Sequence, residues 1–171
     1  MNRLIILGAG GYGKTIADVA RQLGTYDTIA FLDDGKSGDG IVGVCEDYKA
    51  FADGDTAMYP AFGSNEARMA WMARLKKAGI FIPTFIHPRA YVSPEATIGE
   101  GTAVLPFAVV NTGAAVGAGC IINIGVLIDH ETVIEEGVHL CPGVVVKAEN
   151  RIAPMSRLES GTIILARQMP L

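Results

Sequence analysis

The hydrophobic pattern of the chain changes character near residue 86. Before that point, short apolar runs alternate with segments of helical period. Residues 4–7 read as a buried strand that stops at the glycine cluster 8–13. Ile16, Val19, Ala20 and Leu23 then fall at i, i+3, i+4 and i+7, one face of a helix, and Gly24 stands where a helix C-terminal glycine belongs. Residues 29–32 form a second strand and 57–62 a third. A second helix over 65–78 has Ser64 or Asn65 as its cap and Gly79 as its stop, and 80–86 reads as a fourth strand interrupted by Pro83. Alternation of this kind predicts a small parallel sheet covered by helices.

From Ile86 onward the pattern repeats every six residues: Ile86, Val92, Ile98, Val104, Val110, Val116, Ile122, Ile128, Ile134, Leu140, Val146, Ile152, Leu158 and Ile164. Four residues after each stands a mostly small residue, from Ala90, Ala96 and Thr102 through Cys120 and Asn150 to Gln168. Six residues of α-helix turn through about 600°, a net 240°, which would scatter these apolar positions around three sides. In extended segments, residues an even number apart share a face. Short flat runs joined by corners therefore place each branched residue inside a prism, and stacked turns bury one continuous core, the logic of hexapeptide β-helix repeats. The expected organisation is an α/β half, 1–85, followed by an all-β half, 86–171.

Composition narrows the function. Half of the 171 residues are apolar and 19% are charged, which excludes a disordered chain. With 14 basic and 18 acidic residues the net charge is −4, a poor match for a nucleic-acid backbone. Cys45, Cys120 and Cys141 have neither the spacing of a zinc site nor that of a disulfide framework, so no metal is expected. The apolar start is too short for a signal peptide and no apolar run is long enough to span a membrane, so a cytoplasmic protein with reduced thiols is expected.

Two constellations carry candidate chemistry. Gly8-x-Gly10-x-x-Gly13 follows a predicted strand and opens a predicted helix, where backbone N–H groups can approach a phosphate. Asp33 and Asp34 come about 20 residues later, the distance of a ribose-binding acid in a dinucleotide site. Alone this points to an NAD(P)-linked oxidoreductase, yet the α/β half is one mononucleotide-binding half rather than two. The bland alternative is a tight strand-to-helix turn. The second constellation is His130, outward-facing in Ile128-Asp129-His130-Glu131-Thr132, where an imidazole suits removal of a proton from an attacking amine or alcohol. Asp129 and Glu131 are the candidate orienting acids. An i, i+1 pair needs a corner or a bulge, or else an acid from an adjacent chain. His87, in Ile-His-Pro, reads as a turn residue bonding the backbone, Cys120 as packing, and Cys141 lacks an activating motif.

Gly8-Ala9-Gly10-Gly11-Tyr12-Gly13-Lys14, the run Phe31-Leu32-Asp33-Asp34 and the hexapeptides around Ile128–Glu131 resemble sugar O/N-acyltransferases of the NeuD/PglD type over roughly residues 3–145. The resemblance implies a Rossmann-like domain followed by a left-handed parallel β-helix, and a homotrimer with acetyl-CoA in the groove between adjacent helices. It implies that Gly8, Gly10, Gly11, Gly13, Asp33 and Asp34 hold a UDP-sugar, with Gly63 and Asn65 a matching segment whose alternative is a plain helix cap. His130 is then the general base assisted by Glu131, and His139 and Asn123 are donor contacts. The alternatives for these two are a satisfied surface histidine and a stacked-asparagine corner. The implied reaction is direct acetyl transfer to the amine or hydroxyl of a nucleotide-linked sugar, with a UDP-4-amino-sugar as the expected acceptor.

The resemblance weakens after Val145, where Ala148-Glu149-Asn150-Arg151-Ile152-Ala153 stands for the family's Gly-Asn-Val-x-Ile-Gly. If that first glycine has positive φ, Ala148 strains the turn at the point where its N–H would meet the thioester carbonyl. A nucleotide-sugar-binding or assembly module with a degraded CoA site is therefore the competing expectation.

Overall fold

The computed structural model describes residues 1–169, which form two units, one ending at Pro83 and one beginning at Thr84. In the first, strands β1 (Arg3–Leu7), β2 (Thr28–Leu32), β3 (Ile41–Gly43) and β4 (Thr56–Pro60) make one sheet of order β3-β2-β1-β4, all parallel. Leu4, Ile5, Ile6 and Leu7 are buried, as a strand in the middle of a parallel sheet requires. Helix α1 (Gly11–Leu23) buries Ile16, Ala17, Val19 and Ala20 and ends at Gly24, whose φ of 64° lets its N–H return to the Ala20 and Arg21 carbonyls. Helix α2 (Asn65–Lys77) is capped by Ser64, whose hydroxyl accepts the Ala67 N–H at 3.2 Å.

Two elements differ from expectation. Strand β3 and the 3-10 turn Cys45–Phe51 lie in a segment without clear periodicity. Residues 80–84 are not a strand: Met58 donates to the Phe81 carbonyl at 3.0 Å, Pro83 has no N–H to extend the ladder, and Phe85–Ile86 belongs to the second unit. The chain leaves β1 toward β2 and β3, then returns to β4 on the other side of β1. This reversal puts a topological switch point at the C-terminal ends of β1 and β4, the kind of place beside which open parallel sheets bind ligands.

The second unit is a left-handed parallel β-helix of two-residue strands. Face 1 stacks Phe85–Ile86, Ala103–Val104, Ile121–Ile122, His139–Leu140 and Arg157–Leu158. Face 2 stacks Tyr91–Val92, Val109–Val110, Leu127–Ile128, Val145–Val146 and Ile163–Ile164. Face 3 stacks Thr97–Ile98, Ala115–Val116, Val133–Ile134 and Arg151–Ile152. The six-residue series points inward, from Val104 through Ile152 to Ile164, in one buried column. Ile86 is the exception at 38% exposure, at the start of the stack.

From residue 101 onward each corner turns on a residue of left-handed φ, again every six residues: Gly101, Phe107, Gly113, Gly119, Gly125, Glu131, Gly137, Gly143, Glu149, Met155, Gly161 and Arg167. Polar residues at the small fourth position fasten the corners by donating to the carbonyl fifteen residues on. Thr102 reaches Gly117 at 2.7 Å, Cys120 Glu135 at 3.0 Å, Thr132 Lys147 at 3.2 Å and Asn150 Leu165 at 2.9 Å. Asn150 also donates to the Lys147 carbonyl at 2.7 Å and accepts the Met169 N–H at 2.7 Å. The late coils thus stay in register without their glycines. The expectation for Ala148 is corrected: the left-handed residue is Glu149, φ 58°, and Ala148 escapes the strain.

Candidate active site

The glycine loop joins β1 to α1. Gly8 has φ 98°, a conformation L side chains rarely adopt, and a Cβ at Gly13 would overlap the Gly8 carbonyl oxygen, so both are required by the turn itself. A Cβ at Gly10 or Gly11 would meet no atom within 4 Å, which leaves those two open to approach from outside. Gly10 is the N-cap of α1 without a side-chain cap, so the first peptide N–H groups of the helix face outward with the positive end of its dipole.

Asp33 serves this loop rather than standing apart from it. Its Oδ2 accepts the Ala9 N–H at 2.7 Å and its Oδ1 the Gly35 N–H at 3.0 Å. The Ala9 bond, before the others, holds its carboxyl below the usual carboxylate range. Lys36 donates to the Ala9 carbonyl at 2.9 Å, so the same residue is gripped from both sides. A pocket of about 300 Å³ beside the loop is lined by Ala9, Lys14, Phe31, Lys36, Asp39 and Ile41 among others. Its two lysines escaped the sequence reading, although Lys14 stood inside the motif. Asp34 points elsewhere: its Oδ1 accepts the Cys45 N–H at 2.8 Å, which ties it to the 3-10 turn.

The segment after β4 meets Gly8, since Ala61 donates to the Leu7 carbonyl at 2.8 Å. It carries Gly63 and Asn65. Asn65 is buried, and its Oδ1 accepts from Arg68 at 2.8 Å. Arg68 is fully buried and also donates to the Phe62 carbonyl at 3.0 Å, fixing the loop from below. The signal for it was its place on the inward face of α2 with Met72 and Leu75.

His130 and Glu131 lie in the corner between faces 2 and 3. Glu131 is a left-handed residue, φ 54°, and that turn places both side chains on one side of the chain. Glu131 Oε2 stands 3.8 Å from His130 Nδ1, ion-pair range rather than a hydrogen bond. The His130 side chain is 45% exposed. Asp129 has a different task. Its Oδ1 accepts the His130 N–H at 2.8 Å and the Asn111 amide at 3.2 Å. Those bonds, the His130 one foremost, hold its carboxyl below the usual range, with the Ala148 N–H contributing. Directly above Glu131, Glu149 is held by Arg167 at 2.6 and 2.9 Å. A groove of about 350 Å³ runs along face 2, with Leu127 and Val145 as its floor and Asn111, Asp129 and Lys147 along its rim.

Asn123 and His139 form a separate pair, Nδ2 to Nε2 at 3.4 Å. Asn123 belongs to the corner between faces 1 and 2, so within one chain the width of face 2 separates it from His130. His139 is buried. Ala148 stands one coil above His130, next to Glu149, whose N–H reaches the His130 carbonyl at 3.3 Å. His87 Nδ1 accepts the Arg89 N–H at 3.0 Å. Cys120 and Cys141 are buried, and burial pushes the Cys141 thiol up, so neither is presented as a nucleophile. Among the described residues no His, Cys, Asp and Glu cluster is placed to hold a metal ion, and no helix is long and apolar enough to cross a membrane.

Residues 3–75 match the PglD N-terminal domain family. The acetyltransferase domain of PglB from Neisseria gonorrhoeae FA1090 is 34% identical, with a TM-score of 0.92 over 95% of this chain and 82% of that one. The same domain in complex with acetyl coenzyme A matches at 0.91. A mutant of perosamine N-acetyltransferase from Caulobacter crescentus, in complex with CoA and GDP-perosamine, shares the fold at 22% identity, with a TM-score of 0.84 over 99% of this chain and 91% of that one. WeeI from Acinetobacter baumannii AYE shares it at 21% identity and 0.75, over 99% and 94%.

Proposed function

Because the chain belongs to the NeuD/PglD-type sugar acyltransferases and is an acetyltransferase, we propose that it moves the acetyl group of acetyl-CoA onto the amine of a nucleotide-linked amino sugar, with His130 as general base. The observation that carries this reading is the His130 corner: an exposed imidazole whose Nδ1 faces a carboxylate and whose Nε2 is left for substrate. A carboxylate beside Nδ1–H selects the tautomer with a basic Nε2, and such contacts tighten when substrate binds. The amine attacks the thioester carbon as Nε2 takes its proton. The C–N bond forms, the C–S bond breaks, and the proton passes to the departing CoA thiolate. No covalent acyl-enzyme is involved.

The glycine loop, with Gly10 and Gly11 open to approach and Lys14 and Lys36 at its side, takes the diphosphate of the acceptor. Asp33 works by holding Ala9, and a UDP-4-amino-sugar is the acceptor we favour. Face 2 supports a homotrimer. Its outward residues Tyr91, Val109, Leu127, Val145 and Ile163 stack as an apolar stripe, and its two edges carry His130 on one side and Asn123 with His139 near the other. Three-fold packing around face 2 would set the His130 edge of one copy beside the Asn123 edge of the next, with acetyl-CoA between them. Use of acetyl-CoA and three free cysteines support a cytoplasmic enzyme of glycan or cell-surface polysaccharide synthesis.

The test is calorimetric titration with acetyl-CoA, followed by a screen of nucleotide-linked sugars for release of CoA thiol. Saturable binding at about one site per chain and thiol release that depends on the acceptor amine are expected. Absence of transfer to every nucleotide-linked sugar would sink the proposal.

A further inference from the structure

Of the left-handed corner positions in the β-helix, seven of twelve are glycine, the residue for which that conformation costs nothing. Phe107 is the bulkiest of the rest, at φ 61°. Of the other four exceptions, Glu131 faces His130, Glu149 and Arg167 pair with each other, and Met155 is half-buried. Phe107 has no comparable return among the described residues. It is 60% exposed, its backbone N–H alone is engaged, with the Arg89 carbonyl at 3.0 Å, and among the described residues its ring makes no aromatic or cation contact. Backbone strain that folding does not recover, under an aromatic ring turned to solvent, is the mark of a residue kept for what lies outside the chain.

Its position says what that is. Phe107 occupies the corner between faces 1 and 2 directly below Gly125, and Gly125 donates to the Pro106 carbonyl at 3.1 Å. It therefore stands one coil beneath the corner that carries Asn123, and on the opposite side from His139 and Ala148 in the later coils. If those later coils take the donor, the coil of Phe107 is the one left to the acceptor. We infer that Phe107 is an acceptor-binding residue whose ring stacks on the apolar C–H face of the amino sugar. The inference rests on the acetyltransferase reading above.

Phe107→Gly tests it, because glycine removes the ring and relieves the corner together. The variant is expected to melt no lower than wild type, to keep the same oligomeric state and the same KM for acetyl-CoA, and to raise the acceptor KM about tenfold, the size of one lost stacking contact. Phe107→Tyr, which keeps a ring at the same corner, is expected to retain the wild-type acceptor KM. An unchanged acceptor KM in Phe107→Gly overturns the inference while leaving the acetyltransferase reading intact. Loss of the oligomer in Phe107→Gly overturns it too, since the ring would then belong to an interface between copies. If wild type acetylates no nucleotide-linked amino sugar, the acetyltransferase reading fails and the inference falls with it.

Discussion

Two carboxylates flank His130 in sequence, and the chain uses them for different ends. Asp129 is spent on the backbone of the corner, accepting the His130 N–H, whereas Glu131 is free to face the ring. Glu131→Gln should therefore lower kcat about tenfold with melting unchanged, a small fraction of the general-base range; a drop in stability without a drop in rate would reverse the two roles. Asp129 makes its prediction through pH. Its carboxyl is held below the ordinary value near about 3.9, so its contribution to stability is present above that pH and is lost as pH falls through the lowered value. Wild type should lose more stability than Asp129→Asn between about pH 5 and pH 2 in urea titrations. Parallel losses would show that the carboxylate does not hold the corner. That His130 was chemically interesting was legible from its outward place in the repeat. Which acid faces it is left open by spacing and named only through the resemblance, because the answer depends on a left-handed φ at Glu131, where the sequence has no glycine to announce it.

At the scale of elements, the inward column of the β-helix was legible because a buried prism admits branched aliphatic residues and little else. The corners were less so. Glycine marks most of them, yet Asn150 and Thr132 hold corners by hydrogen bonds to carbonyls in the next coil, a contact that no local pattern reveals. The difference at 80–84 has the same origin: an apolar run with a proline is packed as a connection, and only Phe85–Ile86 of the expected strand pairs, in the second unit. Arg68 shares the inward face of α2 with Met72 and Leu75, but arginine is so rarely buried that this spacing reads as a solvated residue. The glycine loop separates the two uses of glycine. Gly13→Ala should destabilise the first unit by about 3 kcal/mol or more, because its Cβ would displace the β1–α1 turn. Gly11→Ala should leave melting nearly unchanged and weaken UDP binding in calorimetry. If Gly11→Ala binds UDP as wild type does, the loop is a turn and no more.

For the whole molecule, the order of the two halves and the period of each were readable from one chain, but a functional assembly was not. His130 and the Asn123–His139 pair occupy opposite edges of face 2, so the proposed site, if it uses both, would draw them from two copies. Under the proposed three-fold packing, wild type should sediment as a trimer, and Leu127→Glu, placed in the middle of the apolar stripe and 43% exposed in one chain, should sediment as a monomer and lose transfer while each chain stays folded. A monomeric variant with full activity would show that one chain suffices. The central claim, that this is an acetyltransferase whose base is His130, is tested most directly by the rate of CoA thiol release from acetyl-CoA and a UDP-linked 4-amino-sugar, wild type against His130→Ala. The account predicts a fall of about 10²–10⁴ in turnover with folding and acetyl-CoA affinity retained. A His130→Ala variant that turns over at the wild-type rate would contradict it.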